Sequence, residues 1–314
     1  MFKSEIKSQY NEDICILIQP TNHPYTYICE CGDARDLTVK EIQSANAIFI
    51  SHTHIDHFVN FDSIVRHQIG IRRKVTIVGP PGISKQIQSR IKSYTWNLIE
   101  KGSIIYEIRE VISENEIIIY ELEPPLWDLK EIKRISGNVY FQESTFEVSG
   151  TLLDHKTPTL AYKFKEFDTI KIDLSKCEYN GGKWISELKQ AYEHNLPDCE
   201  IVIEDNSYLA GDLFYLLNTN KGDTLGIIMD HAAHTSNHDK IKSTFLNSRR
   251  VYIESFYKQE DSELAKNNYH SYSTKSAQVM QEANVLEAIP VHYSRKYSKP
   301  EIKELIFEFN SIFK

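Results

Sequence analysis

The sequence is short of the residues that break or loosen a chain. Only 12 glycines and 10 prolines occur in 314 residues, which excludes collagen-like repeats and long flexible linkers. No window reaches the roughly 18 uninterrupted apolar residues of a membrane-spanning helix. The opening Met1-Phe2-Lys3-Ser4-Glu5-Ile6-Lys7 lacks the apolar stretch of a secretory signal. Positive charge is also in deficit, with 36 Lys and Arg against 44 Asp and Glu and a formal charge of -8. That excess argues against a protein that coats nucleic acid non-specifically. A nucleic-acid enzyme stays open, because bound divalent cations make a site far more positive than its formal count. The five cysteines (Cys15, Cys29, Cys31, Cys177, Cys199) are an odd, scattered set, expected as reduced thiols. Cys29-Glu30-Cys31 is too tight for zinc-ribbon spacing and has no second pair. A cytoplasmic chain with no membrane partner is the expectation.

What is present is a succession of short β-rich runs and helical patterns. Residues 14–18 and 25–29 read as strands of an opening hairpin, followed by a turn at Gly32-Asp33. Residues 47–50 form a continuous apolar run, as in a strand buried on both faces. A helix is predicted over 59–69, a strand over 75–78, and a helix over 83–101 after the turn Gly79-Pro80-Pro81-Gly82. Strand patterns recur at 104–108, 116–121, 145–153 and 159–164. A polar stretch over 165–182 precedes a short helix at 184–192. Buried strands are predicted at 201–203, 225–229 and 251–253, and a last helix at 273–283 runs into 285–291. No internal repeat or low-complexity linker divides the chain. Residues 1–314 are therefore expected to form one α/β (α+β) domain, a four-layer αββα sandwich with sheets inside and helices outside.

Chemistry concentrates just after the run 47–50. His52, His54 and His57 lie within six residues, with Asp56 between them. Imidazole and carboxylate are the ligands that zinc-like cations prefer. A loop leaving a strand can turn alternate side chains onto one ion and the last pair onto a second. One loop cannot complete two coordination shells, so further ligands should come from later strand ends. His155, Asp230 and His292 each stand where a buried strand emerges. His23, His67, His194 and His238 are scattered and read as structural or solvated. His231 and His234 flank Asp230 and can be either groups behind the ligands or substrate contacts. Arg72-Arg73-Lys74 and Arg249-Arg250 read as solvated faces. Ser294, Arg295 and Lys296, close to His292, are candidates for holding a substrate phosphate.

These motifs resemble the metallo-β-lactamase superfamily, and within it the ribonuclease Z-like phosphodiesterases, over roughly residues 14–297. His52-x-His54-x-Asp56-His57 matches the superfamily signature. The stretch from Leu153-Asp154-His155 to Lys163 is similar to the one holding the next histidine ligand. Val251-Tyr252-Ile253-Glu254-Ser255-Phe256 resembles the strand ending in Glu-Ala-Thr, His270-Ser271 the His-Ser-Thr motif, and His292-Tyr293-Ser294-Arg295-Lys296-Tyr297 the terminal His-x-Ser-x-Arg-Tyr. The resemblance implies one ion on His52, His54 and His155 and a second on Asp56, His57 and His292, with Asp230 bridging both. It implies two zinc ions, with manganese or another divalent cation as substitute. Asp56 would serve as the base for the attacking water. His270, oriented by Glu254, would protonate the leaving oxygen. A homodimer is implied in the same way.

The departures are specific. Met229-Asp230-His231 replaces Gly-Asp-Thr. The Gly-Pro-rich arm that grips tRNA is reduced to 179–184, the opening Gly-Thr-Gly is missing, and Gly-Thr-Gln does not follow Cys31-Gly32-Asp33. Arg295 and Lys296 are transposed. These changes bear on tRNA specificity more than on the metal chemistry. The expected function is a binuclear zinc phosphodiesterase acting on RNA, tRNA 3′ ends included. The alternative is a hydrolase of a non-nucleic-acid substrate, of lactonase or thioesterase type.

Overall fold

Parallel strands joined by helical crossovers need apolar residues on both faces, and the chain supplies them in its first half. In a computed structural model describing residues 1–314, eight strands line up in chain order. They are β1 (Phe2–Ile6), β2 (Ile16–Pro20), β3 (Thr26–Cys29), β4 (Ala45–Phe49), β5 (Lys74–Gly79), β6 (Ile105–Ser113), β7 (Glu116–Leu122) and β8 (Lys130–Ser136). Strands β3 to β6 run parallel. Their crossovers are α1 (Val39–Ser44), α2 (Ile55–Phe58), α3 (Phe61–Gln68) and α4 (Ile83–Lys92). Ile42, Phe61, Ile64, Ile87 and Ile91 from these crossovers pack with Ile48, Ile77 and Ile108 of the sheet. A capping box of Thr38 and Glu41 starts α1.

The second sheet opens with β9 (Phe141–Gln142), β10 (Phe146–Asp154) and β11 (Pro158–Glu166). The chain then builds a separate compact unit, Glu166–Asp223. It contains β12 (Thr169–Ile172), α5 (Trp184–Glu193), β13 (Glu200–Ile203), β14 (Asn206–Leu209), α6 (Ala210–Leu213) and β15 (Leu217–Asn220). Trp184, Leu188, Ile201, Leu213 and Leu216 form its own core. Afterwards β16 (Thr224–Ile228), β17 (Arg250–Glu254) and β18 (Glu287–Val291) complete the second sheet, in the order β18-β17-β16-β11-β10-β9. Four helices accompany this half: α7 (Thr235–Phe245), α8 (Ser262–Asn267), α9 (Ser273–Glu282) and α10 (Lys299–Ile312). Ile241, Phe245, Ala277, Met280 and Phe309 of α7, α9 and α10 pack against Ile228, Val251 and Ile253.

The unit formed by Met1–Lys165 and Thr224–Lys314 thus has two sheets inside and helices outside, the αββα order expected from the sequence. Ile16, Tyr27, Phe49 and Val78 of the first sheet meet Phe146, Tyr162, Phe164 and Ile227 of the second. No helix is long and apolar enough to cross a membrane.

Several elements differ from expectation. The helix predicted over 83–101 stops at Lys92, because the Trp96 indole donates to the Ile91 carbonyl at 2.7 Å and turns the chain back. Residues 201–203 are not a buried sheet strand but half of the hairpin β13–β14, with Val202 56% exposed. The helix at 273–283 is not the last, since α10 follows behind a Ser298–Glu301 capping box. Helix α7 escapes a hydrophobic pattern because Asn237 and His238 share its buried face with Ile241 and Phe245.

One hydroxyl ties the sheets together beside the histidine loop. Tyr162 Oη on β11 lies 2.6 Å from the Ile50 carbonyl and 3.1 Å from that of Val78. Replacing Tyr162 by Phe leaves both carbonyls without that donor. We expect Tyr162→Phe to lower unfolding stability by about 1–2 kcal/mol, read by urea denaturation as a shifted midpoint at unchanged slope.

Candidate metal centre and active site

The His52–His57 loop is held from below by a residue the sequence reading passed over. Glu30 follows β3, is fully buried and adopts φ 66°. Its carboxylate accepts from Ser51 N at 3.0 Å, Ser51 Oγ at 3.1 Å and His57 Nδ1 at 3.0 Å. These bonds decide two tautomers. A proton on His57 Nδ1 leaves the Nε2 lone pair free. The Ser51 hydroxyl, donating to Glu30, accepts from His52 Nδ1 at 3.0 Å and frees His52 Nε2 likewise. His155 is fixed by a third acceptor, the Tyr269 carbonyl, 2.6 Å from its Nδ1. Carboxylates and carbonyls behind imidazoles are the usual means of orienting metal-binding histidines.

The remaining side chains arrive from strand ends of the second sheet. His155 follows β10, Asp230 follows β16, and His292 follows β18 with φ 57°. Asn237 of α7 is buried and joins two of these loops. It accepts from Asp154 N at 2.9 Å and donates to the Asp154 carbonyl at 2.8 Å and the Ala232 carbonyl at 2.9 Å. Asp230 is the point of convergence. Its Oδ2 lies 3.7 Å from His52 Nε2, 3.5 Å from His57 Nε2 and 3.4 Å from His155 Nε2. Its Oδ1 lies 2.9 Å from His292 Nε2. Asp56 Oδ2 stands 3.7 Å from both His57 Nε2 and His292 Nε2.

Two groups result, His52, His54, His155 and Asp230 beside Asp56, His57, Asp230 and His292. The donor atoms within each group lie within 4.8 Å of one another, and Asp230 belongs to both. His52 Nε2, His57 Nε2, His292 Nε2 and Asp230 Oδ1 are buried without hydrogen-bond partners. The 2.9 Å approach of His292 to Asp230 is therefore not an aligned hydrogen bond. Each orphaned polar atom would cost about 1–3 kcal/mol if left so, and imidazole nitrogen with carboxylate oxygen is the donor set of a divalent cation. The cluster fits divalent metal. Burial opposes ionisation of Asp230, but His292 and His57 outweigh it and hold the carboxyl well below its usual range.

A third group adjoins the first two. Glu254, fully buried at the end of β17, accepts from His270 Nδ1. Burial works against charge on His270, and the Glu254 carboxylate overrides it and raises the imidazole above its ordinary value. The Phe256 ring stacks flat on His270, 3.8 Å between centroids and 5° between planes.

The residues expected to grip substrate are engaged elsewhere. Arg295 pairs with Asp13, and Lys296 Nζ lies 2.9 Å from Asp261. Ser294 is buried, with its Oγ accepting from Lys296 N at 3.4 Å. His234 caps α7, its Nδ1 accepting from Asn237 N. Glu30, Asn237 and Phe256 all bear on the cluster and were not singled out in the sequence. The signal for Glu30 was an acid directly after an apolar strand, a position with no reason to be charged unless something buried needs it.

No family model matches the chain. It is 24% identical over 298 residues to ribonuclease Z of Deinococcus radiodurans, covering 91% of this chain and 87% of that protein. Among solved structures it superposes on the metallo-β-lactamase fold protein YhfI from Bacillus subtilis, with a TM-score of 0.60 at 13% identity, covering 99% and 93% of the two chains. The short form of human tRNase Z gives a TM-score of 0.59 at 13% identity, over 95% and 94%. The architecture is the metallo-β-lactamase fold, and the chain is a hydrolytic enzyme of that class. Within that fold, the chain is similar in sequence to ribonuclease Z proteins over most of its length.

If Glu30 orients His57 and, through Ser51, His52, then Glu30→Gln should weaken metal binding by roughly 10–100-fold. Competition with a chromogenic chelator measures this directly. Unchanged affinity would remove Glu30 from the site.

Proposed function

We propose that this chain is a ribonuclease Z-like endoribonuclease that hydrolyses phosphodiester bonds with two zinc ions, tRNA 3′ ends being among its candidate targets. The observation that carries the reading is the Glu254–His270 pair beside Asp230. A simple ester needs no such donor, whereas an RNA alkoxide departs far more readily when protonated. In this reading His52, His54 and His155 would hold one ion and Asp56, His57 and His292 the other, with Asp230 available to both; manganese could substitute. When bound, the ions acidify water and offset charge on the phosphoryl oxygens.

The chain's own residues do the rest. Asp56, partly open to solvent at the mouth of the cluster, takes a proton from the attacking water. His270 keeps its Nδ1 proton on Glu254 and presents Nε2 as the proton donor. Phe256 holds that ring in one plane. We include a homodimer, supported by the resemblance alone, and the cytoplasm, supported by five free cysteines.

A second reading is a hydrolase of lactonase or thioesterase type. The unit Glu166–Asp223, which occupies the arm segment, favours it, with 12 Asp and Glu against 5 Lys and Arg. Such a charge repels a phosphate backbone. Assays on bis(p-nitrophenyl) phosphate and a 3′-extended tRNA precursor, beside lactone and thioester panels, separate the two. About two zinc per chain with diester cleavage is expected, and His270→Ala should cut kcat on the precursor by roughly 10²–10⁴-fold at unchanged zinc content. Fast ester turnover with no diester cleavage would transfer the assignment to the second reading.

A further inference from the structure

His231 stands immediately after the shared carboxylate, and neither ligand group includes it. It is fully buried. Its Nδ1 lies 2.9 Å from the Met229 carbonyl, which can only accept, so Nδ1 carries the proton. The same Nδ1 is 3.1 Å from Glu254 Oε2, and the His231 backbone N–H donates to that oxygen at 2.9 Å. Ser271 N approaches it at 3.4 Å. Glu254 Oε2 thus accepts from the backbone N–H groups of His231 and Ser271, with the His231 Nδ1–H, directed at the Met229 carbonyl, 3.1 Å away as an electrostatic contact, and the other oxygen is left for His270.

A glutamate side chain has three rotatable bonds and a broad terminal torsion. Without a fixed second oxygen, Oε1 would not hold a constant direction. The alternative partner for His270 is close: its Nδ1 lies 3.9 Å from Asp230 Oδ2. A drifting Glu254 would let the imidazole turn toward the carboxylate that both ligand groups share. His231 stands against that turn from two atoms at once, and peptide connectivity places it there whenever Asp230 is in place.

We propose that His231 is a positioning residue for proton donation, clamping Glu254 Oε2 so that His270 is held off Asp230 and aimed at the leaving oxygen. The proposal rests on the phosphodiesterase reading above. It also separates His231 from a merely structural buried histidine, because its loss should be felt in proportion to the leaving group's need for a proton. Nitrophenolate leaves readily without one; phenolate gains from one, and the ribose alkoxide gains most.

The test compares His231→Ala, His231→Asn and His231→Gln on bis(p-nitrophenyl) phosphate, on diphenyl phosphate and on an oligoribonucleotide, with His270→Ala alongside. Asparagine places its amide N–H near the Nδ1 position; glutamine reaches the Nε2 position instead. We expect His231→Ala and His231→Gln to lose roughly 10–100-fold in kcat on the two substrates with basic leaving groups. KM and zinc content should hold, the nitrophenyl diester should change little, and His231→Asn should recover much of the loss. The downfield Nδ1–H proton resonance of His270 should be kept in His231→Asn and lost in His231→Ala, a readout independent of turnover. Equal losses on all substrates, no loss on any, or an unchanged resonance in His231→Ala would overturn the proposal. If His270→Ala itself shows no leaving-group dependence, the phosphodiesterase reading fails; if it does and His231→Ala does not, only the role of His231 fails. Should the alanine variant not fold, the asparagine–glutamine contrast decides.

Discussion

Everything in this molecule depends on one buried carboxylate being surrounded by imidazoles that face it with lone pairs. Four histidine Nε2 atoms lie 2.9–3.7 Å from Asp230. A neutral imidazole binds a cation only through the nitrogen without hydrogen. The problem the fold must solve is therefore tautomeric. Glu30, Ser51 and the Tyr269 carbonyl solve it from behind for His57, His52 and His155, each accepting an Nδ1–H.

That requirement explains the placement of the site at strand ends. The donors emerge after β4, β10, β16 and β18, and their backing groups come from β3, β17, α7 and the segment before α9. Strand ends of a packed sheet are fixed by the ladder and by the core beneath, so they hold atoms to the tolerance that a cation demands. Asn237 makes the dependence visible. With one amide it locks the loop carrying Asp230 to the strand end carrying His155, and so relates two members of the cluster 75 residues apart in the chain.

What the sequence made legible was whatever repeats locally. The histidine loop is dense enough to read at once, and His155, Asp230 and His292 could be picked out because each ends an apolar run. The sandwich followed from β runs alternating with helices. What stayed hidden depends on contacts distant in sequence. Glu30 looks like an interruption between two cysteines until Ser51 and His57 fold onto it. Phe256 is one apolar residue among many until its ring meets His270. Helix α7 hides because polar residues occupy part of its inward face, and they are polar for the sake of the site. The compact nature of 166–223 was hidden for the opposite reason: its core is small, and its strands and short helices are spread through polar sequence.

That unit carries one more implication. Strands β11 and β16 are antiparallel partners, with Lys165 opposite Thr224, so the chain leaves and returns at one point on the sheet. Topologically the whole of Glu166–Asp223 is the loop of a hairpin, and closing a loop costs little more when it is long than when it is short. The hydrolase scaffold can accept a different module at this junction without moving any residue of the metal cluster. The insert can thus change in sequence while the strand ends that carry the cluster stay as they are.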